Sequence, residues 1–354
     1  MKEKRTHVIG LMSGTSLDGV DLVYASFVNK GDVYSYAIIK SETYKYPLVW
    51  ESKLKDAFSQ TTSEIEKLDI EYGEYLGALV NTFISEHSID EIDFIASHGH
   101  TIFHNPEKGV TLQIGDGETI SKITNHKVVY DFRTQDVKFG GQGAPLVPIG
   151  DRLLFSEYEF CLNLGGFANI SFEKDGDRKA FDICPVNIVM NHYAQLLGFD
   201  YDDKGLFASQ GKVHAQLLDE LNNLPFYNDT EPKSLGYEFV VEVIFPLIEK
   251  YDLSEKDRLR TFIDHVASQI TSKINSKGQL FITGGGVYNE FLIQQLKKKI
   301  SNEIVIPNNE LIDFKEALIF AFLGLLKINN EVNCLKSVTG ASVDHSSGKI
   351  RKVK

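Results

Sequence analysis

The sequence predicts an α/β protein built as two related halves, and three observations carry that prediction. A pattern of strand, glycine turn, strand, turn and strand opens the chain at residues 7–40 and recurs at residues 160–183. Helical periodicity follows each occurrence, which pairs the sheets with helices. At 354 residues the chain exceeds one ordinary hydrophobic core, so a repeat near half its length reads as two domains. The boundary falls within residues 145–152. It gives an N-terminal domain 1–148 and a C-terminal domain 149–354, with room for the C-terminal helix to pack back on the first. The halves are expected to face one another, so that their glycine turns converge on one cleft.

The apolar run 7–12 feeds the turn Ser13-Gly14-Thr15-Ser16-Leu17-Asp18-Gly19, and the chain leaves along residues 22–27. Such a turn gathers backbone N–H groups and hydroxyls around a point where an anion sits, with Asp18 and Asp21 near enough for magnesium. A plain hairpin explains the same residues. Residues 33–40 give a third strand after Asn29-Lys30-Gly31-Asp32. Helical spacing takes over at Leu48, and Ser63-Glu64-Ile65-Glu66 predicts a capping box opening a long helix. Its stripe comprises Ile65, Leu68, Tyr72, Leu76, Leu79 and Phe83. Residues 94–97 and 128–130 read as short buried strands. His98-Gly99-His100-Thr101 and Gln113-Ile114-Gly115-Asp116 lie between them in a loop-like context.

The second cycle runs 160–164, Gly165-Gly166, 168–172, Lys174-Asp175-Gly176-Asp177, then 179–183. Helices are expected at 213–221, 238–250 and 255–277. A strand at 279–282 ends in Thr283-Gly284-Gly285-Gly286, with helices at 289–299 and 314–326 beyond it. The triple glycine lets a base or ribose approach the backbone, or serves only as a low-bulk strand-to-helix turn. It is not a G-x-G-x-x-G motif, and no Walker A lysine motif occurs. Gly140-Gly141-Gln142-Gly143-Ala144-Pro145, after Asp131-Phe132-Arg133, suits either a ligand-hugging loop or a tight connection. Asp182 at a strand end is placed either to act as a base or to cap the next helix. His98, His100 and His104 match no metal-ligand spacing, so hydrogen bonds to a polar ligand or the backbone are expected of them.

Composition narrows the function. The 49 acidic against 37 basic side chains give a net charge of −12, which argues against a nucleic-acid partner. Cys161, Cys184 and Cys334 form neither a disulfide framework nor a zinc motif and fit a reducing compartment. The apolar run 8–12 is too short for a signal-peptide core, and the nine residues 318–326 are too few to span a bilayer. A soluble cytoplasmic protein without a membrane partner is expected.

Taken together, these segments resemble the anhydro-N-acetylmuramic acid kinases, a family of the sugar kinase, heat-shock ATPase and actin superfamily. The resemblance runs almost end to end. It rests on Gly10 to Asp21, His98 to Thr101, Leu112 to Asp116, Asp131 to Arg133, Gly140 to Pro148 and Asn163 to Ile170. Lys233 to Gly236, Gly284 to Gly286, Glu316 to Leu318 and Ser337 to Ser342 extend it through the C-terminal half.

The fold so implied is a two-domain actin-like ATPase, ribonuclease H-like, with duplicated mixed-sheet halves around an interdomain cleft. The implied ligands are ATP, Mg2+ and a cyclic amino sugar, and a homodimer is compatible with the family. Such enzymes open the 1,6-anhydro bond with water and phosphorylate O6, giving N-acetylmuramic acid 6-phosphate for cell-wall recycling.

By resemblance, Asp182 is the base, within Phe181-Asp182-Ile183-Cys184-Pro185-Val186-Asn187. Nucleotide binding falls to Ser13, Gly14, Thr15, Ser16, Asp18, Gly19 and Asp21 in the first half. Gly165, Gly166, Asn169, Gly284, Gly285, Gly286 and Asn289 serve it in the second. Asp18 and Asp21 are the metal candidates. The sugar falls to His98, Gln113, Asp116, Arg133, Gln142, Asn187 and Glu316, the last reaching it from the opposite domain. Ile183, Cys184 and Val186 replace the family's Thr and two Gly, Asn191 its aspartate and Tyr237 its arginine. The bulkier residues beside the base are expected to narrow or reshape the sugar pocket. A kinase for a related amino sugar and a non-catalytic nucleotide or sugar sensor are the rival readings. A chaperone-type ATPase would need a peptide-binding domain that the two halves leave no room for.

Overall fold

The computed structural model describes residues 5–14, 17–31, 33–228 and 234–353. Thr15, Ser16, Asp32 and Lys233, named above, lie outside them. The chain forms two compact units, residues 1–154 with 314–354, and residues 155–313.

In the first unit, β1 (Arg5–Ser13), β2 (Val20–Asn29) and β3 (Tyr34–Tyr44) form an antiparallel meander. β1 then pairs parallel with β4 (Phe94–Asn105). The far end of β4 carries β5 (Val110–Ile114) antiparallel, and its near end pairs parallel with β6 (Val128–Tyr130). A short C-terminal strand, Lys349–Arg351, closes that edge against β6. In the second unit, β7 (Phe160–Leu164), β8 (Phe167–Lys174) and β9 (Asp177–Pro185) repeat the meander. β10 (Leu280–Thr283) pairs parallel with β7, and β11 (Ile304–Val305) parallel with β10. Both sheets thus run third strand, second, first, then two parallel strands. This shared order is the duplicated ribonuclease H-like topology of the predicted α/β class.

The core of the first unit comes from Ile9, Leu11, Val20, Leu22 and Ile95 on the strands, with Ile65, Leu68, Tyr72, Leu76 and Phe83 from the helix Thr62–His87. Val80 completes the buried stripe, while Leu79 is only partly buried. The capping box lies earlier than predicted. Thr61 accepts from the Glu64 backbone and Glu64 returns to the Thr61 N–H at 2.8 Å. The serine two places on sits inside the first turn, where its hydroxyl meets no orphan N–H group. The helix Asn309–Ile328, from residue 314 on, packs on β1 where Gly10 leaves no side chain. A Cβ there would sit against the Ala317 carbonyl.

Three further differences concern elements. His98 to Thr101 continue β4, and Gln113 and Ile114 end β5, because the two segments pair with each other instead of looping. The helix expected at 238–250 runs Tyr237–Phe239, Val240–Ile244, Phe245–Glu249, and its middle is a π-type turn. Pro246 has no N–H to give to residue 242, so the ladder widens ahead of it. The helix predicted to Lys277 stops at Lys273, where Ile274 turns extended.

Candidate active site

In the second unit the ends of β7 and β10 and the start of the helix Asn187–Leu196 come together. Gly165 and Gly166 turn β7 into β8, and the Gly165 N–H donates to Phe167 O at 3.1 Å. Their carbonyls accept from the Asn187 and Val186 N–H groups at 3.3 and 2.8 Å. The Asn187 side chain donates to Leu164 O at 3.2 Å, which locks the helix start to the strand end. Gly284 takes φ +85, and a Cβ there would lie 2.6 Å from Asn163 Oδ1 and 2.8 Å from Leu164 O, so only glycine fits. Gly166 and Gly285 differ. The nearest atom to a Cβ at either is 3.9 Å away, so bare backbone faces open space. That is the donor chemistry and the room a phosphate or a ribose needs. Asn169 is exposed on β8. Asn289 caps the helix Glu290–Lys299, accepting from the Leu292 N–H at 2.9 Å.

Asp182 lies on β9 opposite Asn169, whereas Cys184 lies opposite Ala168, so Ile183 is the extra residue of a β-bulge. The bulge breaks the alternation of faces and leaves Asp182 half-buried beside fully buried neighbours. Burial pushes the Asp182 carboxyl up from its ordinary value. The Leu235 N–H, donating to Oδ2 at 2.9 Å, opposes that rise. Asp182 caps no helix: the next one starts at Asn187 after Val186, without a side-chain cap. Ile183, Cys184 and Val186 are all fully buried in the apolar cluster of this unit. Their bulk therefore packs into the core of this unit behind Asp182. Asn191 is half-buried and Tyr237 exposed.

In the first unit the residues divide into two groups. Ser13, buried at the end of β1, meets His100 Nδ1 at 2.8 Å and the Tyr46 hydroxyl at 2.6 Å, and Tyr46 continues to the Tyr72 hydroxyl at 2.5 Å. Burial holds the His100 imidazole down at about 4, so it is neutral at physiological pH. The sequence marks Tyr72 only as part of the long helix's apolar stripe and does not single out Tyr46. Beyond Ser13, Gly14 is half-buried, Asp18 exposed and Gly19 buried. Asp21 sits within β2 and accepts from Thr43 Oγ1 at 2.6 Å.

The second group centres on Arg133. Its Nε donates to His98 Nε2 at 3.0 Å and its Nη1 to Gly143 O at 2.7 Å. His98 Nδ1 faces Gly99 O at 2.9 Å, so that nitrogen carries the proton and Nε2 is the acceptor. Burial first, then the Arg133 charge, keeps His98 well below its ordinary range, and burial lowers the guanidinium itself to about 10. Glu316 retains solvent access, yet desolvation by surrounding protein raises its carboxyl, against the pull of Arg133 and Lys315. The histidines are thus hydrogen-bonding groups, His104 included, whose Nδ1 lies 3.2 Å from Thr111 Oγ1. Gln142 is exposed.

Gln113 donates to Thr111 and Thr101 hydroxyls at 3.0 and 3.3 Å. Asp116 caps the helix Gly117–Thr124, accepting from the Thr119 N–H at 2.7 Å. Behind it, Asp69 accepts from the Gly115 N–H at 2.6 Å, and burial raises its carboxyl to about 6. The fold therefore opposes its ionisation, and the stability its neutral form contributes below pH 3.8 is lost as pH rises to about 6. Asp69→Asn keeps the acceptor, so its melting temperature should exceed wild type at pH 8 and match it near pH 4. Equal melting curves at pH 8 would refute this.

The anhydro-N-acetylmuramic acid kinase family model matches residues 6–352. The chain belongs to the anhydro-N-acetylmuramic acid kinase family. Proteins of that name from Francisella tularensis subsp. novicida and Shewanella pealeana are 34% and 35% identical, each over 95% of this chain and 96% of the relative. The activator of 2-hydroxyisocaproyl-CoA dehydratase from Clostridium difficile, solved with bound ADPNP, aligns at TM-score 0.43 and 14% identity. That alignment covers 92% of this chain and 97% of the other. The family match makes the chain an enzyme of the phosphotransferase class. It covers both sheets and nearly all of both units. Among the described residues no helix is long and apolar enough to cross a membrane.

Proposed function

We propose that the chain is a cytoplasmic, ATP-dependent kinase that hydrolytically opens 1,6-anhydro-N-acetylmuramic acid and phosphorylates O6, yielding N-acetylmuramic acid 6-phosphate for peptidoglycan recycling. The observation that carries this reading is the half-buried Asp182 carboxylate, aimed by a β-bulge and held by one backbone N–H. Asp182 takes a proton from water as the water oxygen bonds to the anomeric carbon. The C1–O6 bond breaks, and O6 takes the γ-phosphoryl group as ADP leaves. Backbone N–H groups around Gly14 and Gly166 bind phosphate oxygens, and Gly285 gives the nucleotide room. Arg133, positioned by the buried His98, and Glu316 hold the polar groups of the sugar. Oxygen donors suit magnesium, and a site offering one or two carboxylates is usual where phosphates and water complete the shell. Asp18 and Asp21 would hold it, and its charge would offset that of the triphosphate.

Coupled ADP release tests the reading, with 1,6-anhydro-N-acetylmuramic acid, N-acetylmuramic acid, N-acetylglucosamine and no sugar compared side by side. Release that depends on the anhydro sugar is expected. Release with an open-ring hexosamine alone would make the chain a different amino-sugar kinase, and nucleotide binding without any sugar-dependent release would make it a sensor.

A further inference from the structure

A second constellation lies in the first unit, among residues for which the proposed reaction has no use. Cys334 and His345 face each other across an isolated antiparallel bridge, with hydrogen bonds of 3.1 Å in both directions. Directly opposed bridge residues project to one side. Asp136, from the short helix Thr134–Lys138 after β6, meets them there. Its Oδ1 lies 3.0 Å from Cys334 Sγ and 3.6 Å from His345 Nε2. All three side chains are buried, Asp136 completely. One ligand atom from each lies within 4.8 Å of the other two, and no other such group of three occurs among the described residues.

We propose that Asp136, Cys334 and His345 bind a zinc ion. The independent observation is His345 Nε2, which is buried and has no hydrogen-bond partner. The ring is about nine-tenths buried, with 7% exposure. His345 Nδ1 faces Val343 O at 3.0 Å, so the proton sits on Nδ1 and the Nε2 lone pair points at the cluster. A histidine whose other nitrogen donates to a backbone carbonyl is the usual form of a metal ligand. Asp136 Oδ2 is held by the Gly143 N–H at 2.7 Å and Oδ1 accepts from Thr339 Oγ1 at 2.8 Å, so the carboxylate is oriented from outside the cluster. One sulfur, one imidazole nitrogen and one carboxylate oxygen form a donor set suited to zinc and unsuited to magnesium. The fourth position is left to a water oxygen, as in zinc sites with three protein ligands. Binding expels the thiol proton to solvent and ties the C-terminal segment to the helix after β6.

The test uses the full chain, stripped with a chelator and then titrated with zinc against a chromophoric competitor. Cobalt substitution is read by its thiolate charge-transfer band. About one equivalent per chain is expected, with the band lost in Cys334→Ser and His345→Gln, and affinity reduced about 10- to 100-fold in Thr339→Val. Circular dichroism of each variant against wild type separates lost metal binding from a lost fold, and His345→Gln, which keeps a polar side chain, stands as the second probe. Zinc uptake by wild type no greater than by a folded His345→Gln variant, or cobalt bound without a thiolate band, would overturn the proposal.

Discussion

Asp182→Asn is expected to lower kcat about 10²- to 10⁴-fold, the usual contribution of a positioned general base. ATP affinity should stay near that of wild type. The substitution is nearly isosteric, and its amide oxygen still accepts from the Leu235 N–H that now holds Oδ2 at 2.9 Å. A fall in turnover therefore cannot come from a collapsed loop, and matching melting curves would establish that. The pH profile supplies a further readout. Burial raises the Asp182 carboxyl above its ordinary value, so the wild-type kcat/KM should fall on the acid side over a range above that of an exposed aspartate. The base is inactive once protonated, so activity is present above that limb and lost below it. The variant's residual activity should lack the limb. Turnover undiminished in Asp182→Asn, or an acid limb unchanged by it, removes Asp182 from the proton transfer.

How far the sequence could reach is clearest around this residue. The strands were legible because alternating and continuous apolar runs survive in the chain, and the repeated glycine turns marked the two meanders. Ile183, Cys184 and Val186 adjoin Asp182 in sequence yet are buried in the core, and the bulge at Ile183, which leaves Asp182 half-buried between buried neighbours, has no signature in residue types alone. The histidine segment read as loop because Gly99 and polar neighbours mimic a turn, whereas pairing with β5 makes it a strand. Long-range partnerships were out of reach. Nothing in the sequence joins Ser13 to Tyr46 and His100, or Asp136 to Cys334, 198 positions away.

Lys315→Met should destabilise the first unit by about 3–5 kcal/mol, because it breaks a buried ion pair by removing one partner. Lys315 Nζ lies 2.7 Å from Asp151 Oδ1, and each side chain is only 6% exposed. Asp151 sits in the helix Val147–Leu154, beside Gly150, where Ile319 packs too closely to admit a Cβ. With the ammonium gone, its carboxylate must ionise without that partner or take up a proton, and either costs stability at neutral pH. Restoring neutrality by Asp151→Leu in the same chain should recover most of the loss, since an apolar pair of similar volume replaces two desolvated charges. The single tryptophan, Trp50, belongs to this unit, so its fluorescence in urea reports the unit even if the second unfolds separately. A loss below about 1 kcal/mol, the scale of an exposed pair, or a double variant no more stable than the single, would show that the buried charges do not depend on one another.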